Sequence, residues 1–127
     1  MIVQEPEKIV EKLRQTINTG KFGIDYTIIP RDKNNSLREK YIIDDYKIKE
    51  ILLDLTVDDY IKTELSTNKG FPDDIVHFFK KDVCLILRFF DNNIEPQKVK
   101  LYIKFTWTKT IKKGNLIFIS FHEWGEE

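Results

Sequence analysis

Among the side chains of this 127-residue sequence that could move a proton near neutral pH or hold a phosphate, His77, His122, Tyr102, Lys62, Lys104, Lys100 and Arg88 stand out as candidates. They suit one chemistry in particular, attack of a ribose 2′-OH on its own phosphodiester without a metal. That reaction needs a group to take the 2′-OH proton, a cation to stabilise the phosphorane and an acid to protonate the departing 5′-oxygen. Histidine fills the first or last role near neutral pH, with Tyr or Lys as partner. His122, Tyr102, Lys62 and His77 are therefore the candidate catalytic residues, and Lys100, Lys104 and Arg88 the candidate RNA-binding ones. A plainer reading stands beside this one. Lysines on exposed strands protect against edge aggregation, and His77, set between Val76 and Phe78, reads most simply as a hydrogen-bonded, half-buried side chain.

Other chemistries lack their residues. The sequence has no Gly-rich phosphate loop, no Gly-x-Ser-x-Gly and no Cys/His set with zinc spacing. Asp44-Asp45 and Asp58-Asp59 each fit a helix N-terminus, where acids favour the dipole, better than a metal site. No cofactor is expected.

The elements that must position these residues begin with Lys98 to His122. From Val99 to Trp107, apolar Val99, Leu101, Ile103, Phe105 and Trp107 alternate with Lys100, Tyr102, Lys104 and Thr106. This is the period of a half-buried strand. A polar run with Lys109, Lys112, Lys113 and Gly114 leads to a second apolar segment, Leu116 to Phe121, ending in His122, which together read as a β-hairpin. A register centred near Lys112 sets Tyr102 opposite His122 and Lys104 opposite Ser120. A slip of one residue would instead place Tyr102 and Lys104 among Ile117, Ile119 and Phe121. The preferred register predicts a sheet face carrying a phenol, an ammonium, a hydroxyl and an imidazole, suited to a polyanion.

Upstream, Pro6 opens a helix with the stripe Ile9, Val10, Leu13 and Ile17, closed by Gly20. Phe22 to Ile29 alternates as a strand ended by Pro30, and the polar run Arg31 to Lys40 reads as an exposed loop or a frayed helical turn. Asp44 or Asp45 caps a second helix with Ile48, Ile51, Leu52 and Leu55 inward. Thr56 to Asp59 fits a capping box before a short helical turn through Tyr60. Thr63 to Pro72 is a loop or short strand closed by Gly70 and Pro72. Two strand segments, or one long bent strand, follow from Asp74. Val83 to Phe90 is expected to be a central strand, with a turn at Asp91-Asn92-Asn93. The expected architecture is one α+β domain over residues 1–127, with N-terminal helices on one face of a mostly antiparallel sheet and the other face partly open.

Formal net charge is zero, 21 Lys and Arg against 21 Asp and Glu. That argues against binding driven by overall charge, so any basic patch must be local. Cys84, the one cysteine, has no internal disulfide partner and within VCLILRFF reads as a buried thiol. The N-terminal MIVQEPEK lacks a signal-peptide pattern, and no apolar run reaches membrane-spanning length. A cytoplasmic setting without membrane contact is expected.

Three segments in this order, Leu55-Thr56-Val57-Asp58-Asp59-Tyr60-Ile61-Lys62, Leu101-Tyr102-Ile103-Lys104 and Ile117-Phe118-Ile119-Ser120-Phe121-His122, resemble the MqsR-type toxins of bacterial toxin-antitoxin systems. The resemblance covers roughly residues 45 to 123. It implies a RelE-like α+β fold, ribosome-independent cleavage of single-stranded mRNA and a cognate antitoxin as partner. By position, Lys62 matches the family's lysine after the Asp-aromatic pair, Tyr102 its strand tyrosine and His122 the basic residue after Ser-Phe. His77 falls near a position held by glutamine in some members. Val83 to Pro96 departs from the family as extra length, and residues 1–44 match only in opening with a helix. Two further readings remain open: a non-catalytic nucleic-acid-binding module of the same fold, and a protein-interaction domain whose open sheet face binds a partner protein.

Overall fold

The computed structural model describes residues 5–66, 74–88, 95–108 and 115–125. The turns read at Asp91 to Asn93 and at Lys109 to Gly114, the closure at Gly70 to Pro72, and Phe89 and Phe90 lie outside the described residues. Helix α1 (Pro6–Thr19) starts with Pro6 in its first turn and buries Ile9, Val10, Leu13 and Ile17, as the stripe predicts. At Gly20 a Cβ would lie 2.7 Å from the Asp25 Cβ and 2.8 Å from the Thr16 carbonyl oxygen, so only glycine fits where the chain turns back. The expected strand at Phe22 to Ile29 is shorter: β1 is Tyr26–Ile28.

Of the two readings of Arg31 to Lys40 the helical one holds, as a full helix and not a frayed turn. Asp32–Lys40 forms helix α2, with Asn34 and Leu37 buried one turn apart. Two inward residues in a run this polar leave no apolar stripe to read. Helix α3 (Asp45–Leu53) is capped by Asp44, whose carboxylate accepts the Lys47 N–H at 2.7 Å, and it buries Ile48, Ile51 and Leu52. The capping box at Thr56 and Asp59 forms as expected around a 3₁₀ turn, Val57–Asp59. The chain then runs straight into β2 (Tyr60–Leu65).

One unbroken strand, β3 (Ile75–Leu85), passes through the charged Lys80-Lys81-Asp82, and β4 (Gln97–Trp107) and β5 (Leu116–Glu123) complete the sheet. The fold is α+β, and the sheet order is β1-β5-β4-β3-β2, with β1 parallel to β5 and the other pairs antiparallel. The central strand is therefore β4. The expectation for Val83 to Phe90 is corrected: β3 ends at Leu85, and residues beyond Phe79 have no β2 partner. Cys84 on this overhang is exposed, not buried.

The helices cover one face. Ile9, Val10, Leu13, Ile17, Ile48, Ile51, Leu52 and Leu55 pack with Phe79, Leu101, Ile103, Phe105, Phe118 and Phe121 in the main core. The expected β4–β5 register holds at its far end, Tyr102 opposite His122 and Lys104 opposite Ser120, but a bulge follows and Phe105 faces Phe118. Ile119 is the extra residue. Leu116 and Phe118 thus join the main core, whereas Ile117 and Ile119 pass to the other face, with Val76 and Phe78.

The side chain of Asn34 holds this bulge. β1 pairs with β5 only as far as Phe118. Beyond it the buried Asn34 amide donates to the carbonyls of Ile29 and Ile119 and accepts the Phe121 N–H at 2.8 Å. It stands in for the next residue of a strand. Asn34→Ala strands a buried Phe121 N–H and an Ile29 carbonyl, so a loss of about 2–4 kcal/mol is expected. Chemical denaturation of the variant measures it, and a loss within experimental error would remove Asn34 as the edge partner.

Candidate functional site

On the face away from the helices the ladders align Lys62, Phe78, Lys104 and Ser120 in one row across β2, β3, β4 and β5. The next row holds Lys80, Tyr102 and His122, and beyond it stand Asp82 and Lys100. The Tyr102 ring centre lies 5.3 Å from that of His122, 5.6 Å from Trp124 and 6.2 Å from Phe78. Trp124 extends the ladder past the end of β5, its N–H donating to the Lys100 carbonyl at 2.8 Å. Ser120 completes the phenol, ammonium, hydroxyl and imidazole that the register predicts.

Cations surround the aromatic centre. The Lys62 and Lys104 ammonium groups lie 4.7 and 5.4 Å from the Phe78 ring centre. The Arg31 guanidinium, anchored on the Ile119 carbonyl at 3.2 Å, reaches the same region. Burial, and then the positive charges of Arg31 and Lys62, lower the Lys104 pKa from its ordinary value, with Glu64 opposing them. An anion placed here would relieve that repulsion. Glu64 also pairs with Lys62 at 3.4 Å, so the patch is local, as a neutral chain requires.

His122 is not a solvated strand end, being 1 % exposed. Its Nδ1 lies 2.9 Å from the Glu123 carbonyl oxygen, which can only accept, so Nδ1 carries the hydrogen and the neutral ring keeps its lone pair on Nε2. The accessible members of the group are Tyr102 and Lys104, both half-buried. Lys62 shares the face but stands three strand spacings from β5, about 14 Å between backbones. Of the two lysines, Lys104 is therefore the nearer to the Tyr102–His122 pair. Lys100 is exposed on this face, opposite Asp82.

Two expected site residues are elsewhere. His77 points to the helix side, with ring centres 5.5 Å from Phe105 and 5.7 Å from Trp107. Its Nδ1 is hydrogen-bonded to the Thr63 hydroxyl at 2.9 Å, and Thr63 in turn meets the Tyr60 hydroxyl at 2.7 Å. The plainer reading of His77 fits this placement, since strand parity puts it across the sheet from Tyr102. Arg88 donates to the carbonyls of Arg38 and Tyr41, tying the chain after β3 to the end of α2.

Sequence reasoning missed Arg31, Phe78 and Trp124. Trp124 carried a signal, since it continues the alternation of His122 by two residues, whereas Arg31 reaches the face only through α2. Among the described residues no group of three or more His, Cys, Asp or Glu side chains converges, and Asp44 and Asp59 serve as caps. No described helix is long and apolar enough to cross a membrane. A groove of about 900 Å³ lies at the far end of β3, between its overhang and α3, lined by Tyr46, Glu50, Asp82, Cys84 and Lys98 among others. Comparisons with protein-family models, curated proteins and solved structures find no match.

The placement of His77 has a consequence for stability. Burial, and then the charge of Lys12, push its pKa from 6.5 down to about 4. Between those values the unfolded chain binds a proton that the folded chain does not. Stability is therefore full above pH 6.5 and falls through this window, by up to about 3 kcal/mol near pH 4. His77→Gln should lose less stability than the wild type when denaturation is measured at neutral pH and again near pH 4.5. Equal losses would show that His77 ionises freely in the fold.

Proposed function

We propose that the open sheet face binds single-stranded RNA and cleaves it without a metal, as the mRNA-interferase toxins that the sequence resembles do. The observation that carries this reading is the cross-strand pair Tyr102 and His122, in ring contact at 5.3 Å beside a desolvated Lys104. In the proposed reaction His122 Nε2 takes the proton of an internal 2′-OH as that oxygen attacks the adjacent phosphorus. Lys104 and Arg31 stabilise the phosphorane, Tyr102 protonates the departing 5′-oxygen as the P–O5′ bond breaks, and the products are a 2′,3′-cyclic phosphate and a 5′-hydroxyl. Because His122 is 1 % exposed, the side chains around it must shift for substrate to reach Nε2. Lys62, Lys100 and Lys104 supply phosphate contacts, while Phe78, Tyr102 and Trp124 offer planes for unpaired bases. A cognate antitoxin belongs to this reading through the resemblance alone.

The burial of His122 and its bond to the Glu123 carbonyl favour a second reading, in which the same face binds RNA and cuts nothing. The two separate in one assay, purified protein with unstructured RNA in EDTA. Cleavage leaving 2′,3′-cyclic ends is expected, and His122→Gln and Tyr102→Phe should each slow it by about 10² to 10⁴. Circular dichroism checks the fold of both variants, since His122 is buried. Binding without cleavage by the wild type would establish the second reading, and neither binding nor cleavage would return the face to protein recognition.

Salt dependence tests the phosphate contacts separately. RNA affinity should fall as salt rises, and Lys100→Gln with Lys104→Gln should flatten the plot of log affinity against log salt by roughly 0.7 for each phosphate no longer neutralised. An unchanged slope would take both lysines out of the interface.

A further inference from the structure

Among the described residues no strand lies beside the outer edge of β2. Among the described residues its backbone is laddered only to β3, and its side chains carry chemistry that an edge strand normally avoids. Ile61 is 37 % exposed and Leu65 54 %. Lysine and bulges usually blunt such edges. Here the Lys62 charge is balanced by Glu64 at 3.4 Å, and the bulge between Tyr60 and Lys62 leaves Lys62 to Leu65 regular.

The five residues Ile61-Lys62-Thr63-Glu64-Leu65 are complementary to themselves read in reverse about Thr63: apolar, cation, hydroxyl, anion, apolar. We propose that β2 pairs antiparallel with β2 of a second copy of this chain, about a two-fold axis at Thr63. In that register Lys62 meets Glu64 of the second copy, and Glu64 meets its Lys62. Leu65 and the bulged Ile61 flank the opposed charges at the two ends of the segment. Directly opposed residues share a face, so both ion pairs lie on the open side, where Lys62 already sits over Phe78. Thr63 lies on the helix side, opposite His77, and strand alternation puts Leu65 there with it.

The alternatives are penalised. A parallel in-register pair sets Lys62 on Lys62 and Glu64 on Glu64. An antiparallel pair centred on either charged residue opposes that residue to its own copy. Like charges directly opposite each other are destabilising. The interaction does not depend on RNA chemistry. It joins the two five-stranded sheets into one, with their open faces on the same side. Because a five-residue edge buries little area, the dimer is a weak, concentration-dependent one rather than an obligate one.

Sedimentation velocity on nucleic-acid-free protein, from micromolar to near-millimolar concentration, tests this with four proteins: wild type, Lys62→Glu, Glu64→Lys and the double exchange. Both side chains are about half exposed, 53 % and 50 %, so the variants should fold, which circular dichroism checks. The wild type should dimerise. Each single reversal should weaken the dimer roughly tenfold, since two attractive pairs become two repulsive ones. The double exchange should restore wild-type association, and mixing the two single variants should yield a heterodimer in which every opposed charge pair is again of opposite sign. A wild type that stays monomeric, or charge reversals and mixtures that associate like the wild type, would overturn the proposal.

Discussion

The structure depends on how β5 ends once its neighbour β1 has run out. A strand that buries Leu116 and Phe118 against the helices would, by simple alternation, turn Ser120 and His122 to the same side. The extra residue at Ile119 breaks that parity. It lets Phe121 return to the core and delivers His122 to the open face beside Tyr102. A bulge leaves peptide groups without regular partners, and burying them costs free energy unless something else bonds them. The Asn34 amide, from α2, and the Arg31 guanidinium, from the residue just before it, supply those bonds. The imidazole thus reaches its neighbours by way of a side chain some 85 residues away in the chain.

The two histidines show how little a residue type says before its surroundings are known. His77 and His122 are both nearly inaccessible and both lie in strands flanked by aromatic residues. His77 faces the helices, where burial and the charge of Lys12 keep it neutral and the Thr63 hydroxyl bonds its Nδ1. His122 is turned by a backbone carbonyl so that its free lone pair is on Nε2, within a group that also holds a phenol and a desolvated ammonium. The difference is one of sheet face.

The open face also shows how a neutral chain gathers positive charge in one place. Lys62 and Lys104 meet over Phe78, Arg31 adds its charge beside Lys104, and Glu64 opposes them. Other lysines are drawn off elsewhere. Lys81 is held on the helix side by Asp54 and Asp59, and Lys40 pairs with Glu123. Local field, not total charge, then decides what an anion encounters.

By itself the sequence determined α1, α3, the capping box and the alternating faces of β4, because each follows from chemistry repeated within a few residues: an apolar stripe, a cap, a period of two. The Tyr102–His122 pairing was legible too, since the two residues lie in adjacent antiparallel strands and only one register keeps lysines out of the core. Tertiary structure alone decided the helix at Asp32–Lys40, the bulge at Ile119, the helix-side position of His77, the exposure of Cys84 and the burial of His122. Each of these depends on a partner distant in the chain. Asn34 is an ordinary polar residue until the edge of β5 needs an amide, and Cys84 lies in an apolar run that looks internal until the ladder puts it on the parity of Asp82, away from the helices. Hydrophobic period reports which side of an element faces inward; it carries no information about where a neighbouring strand stops.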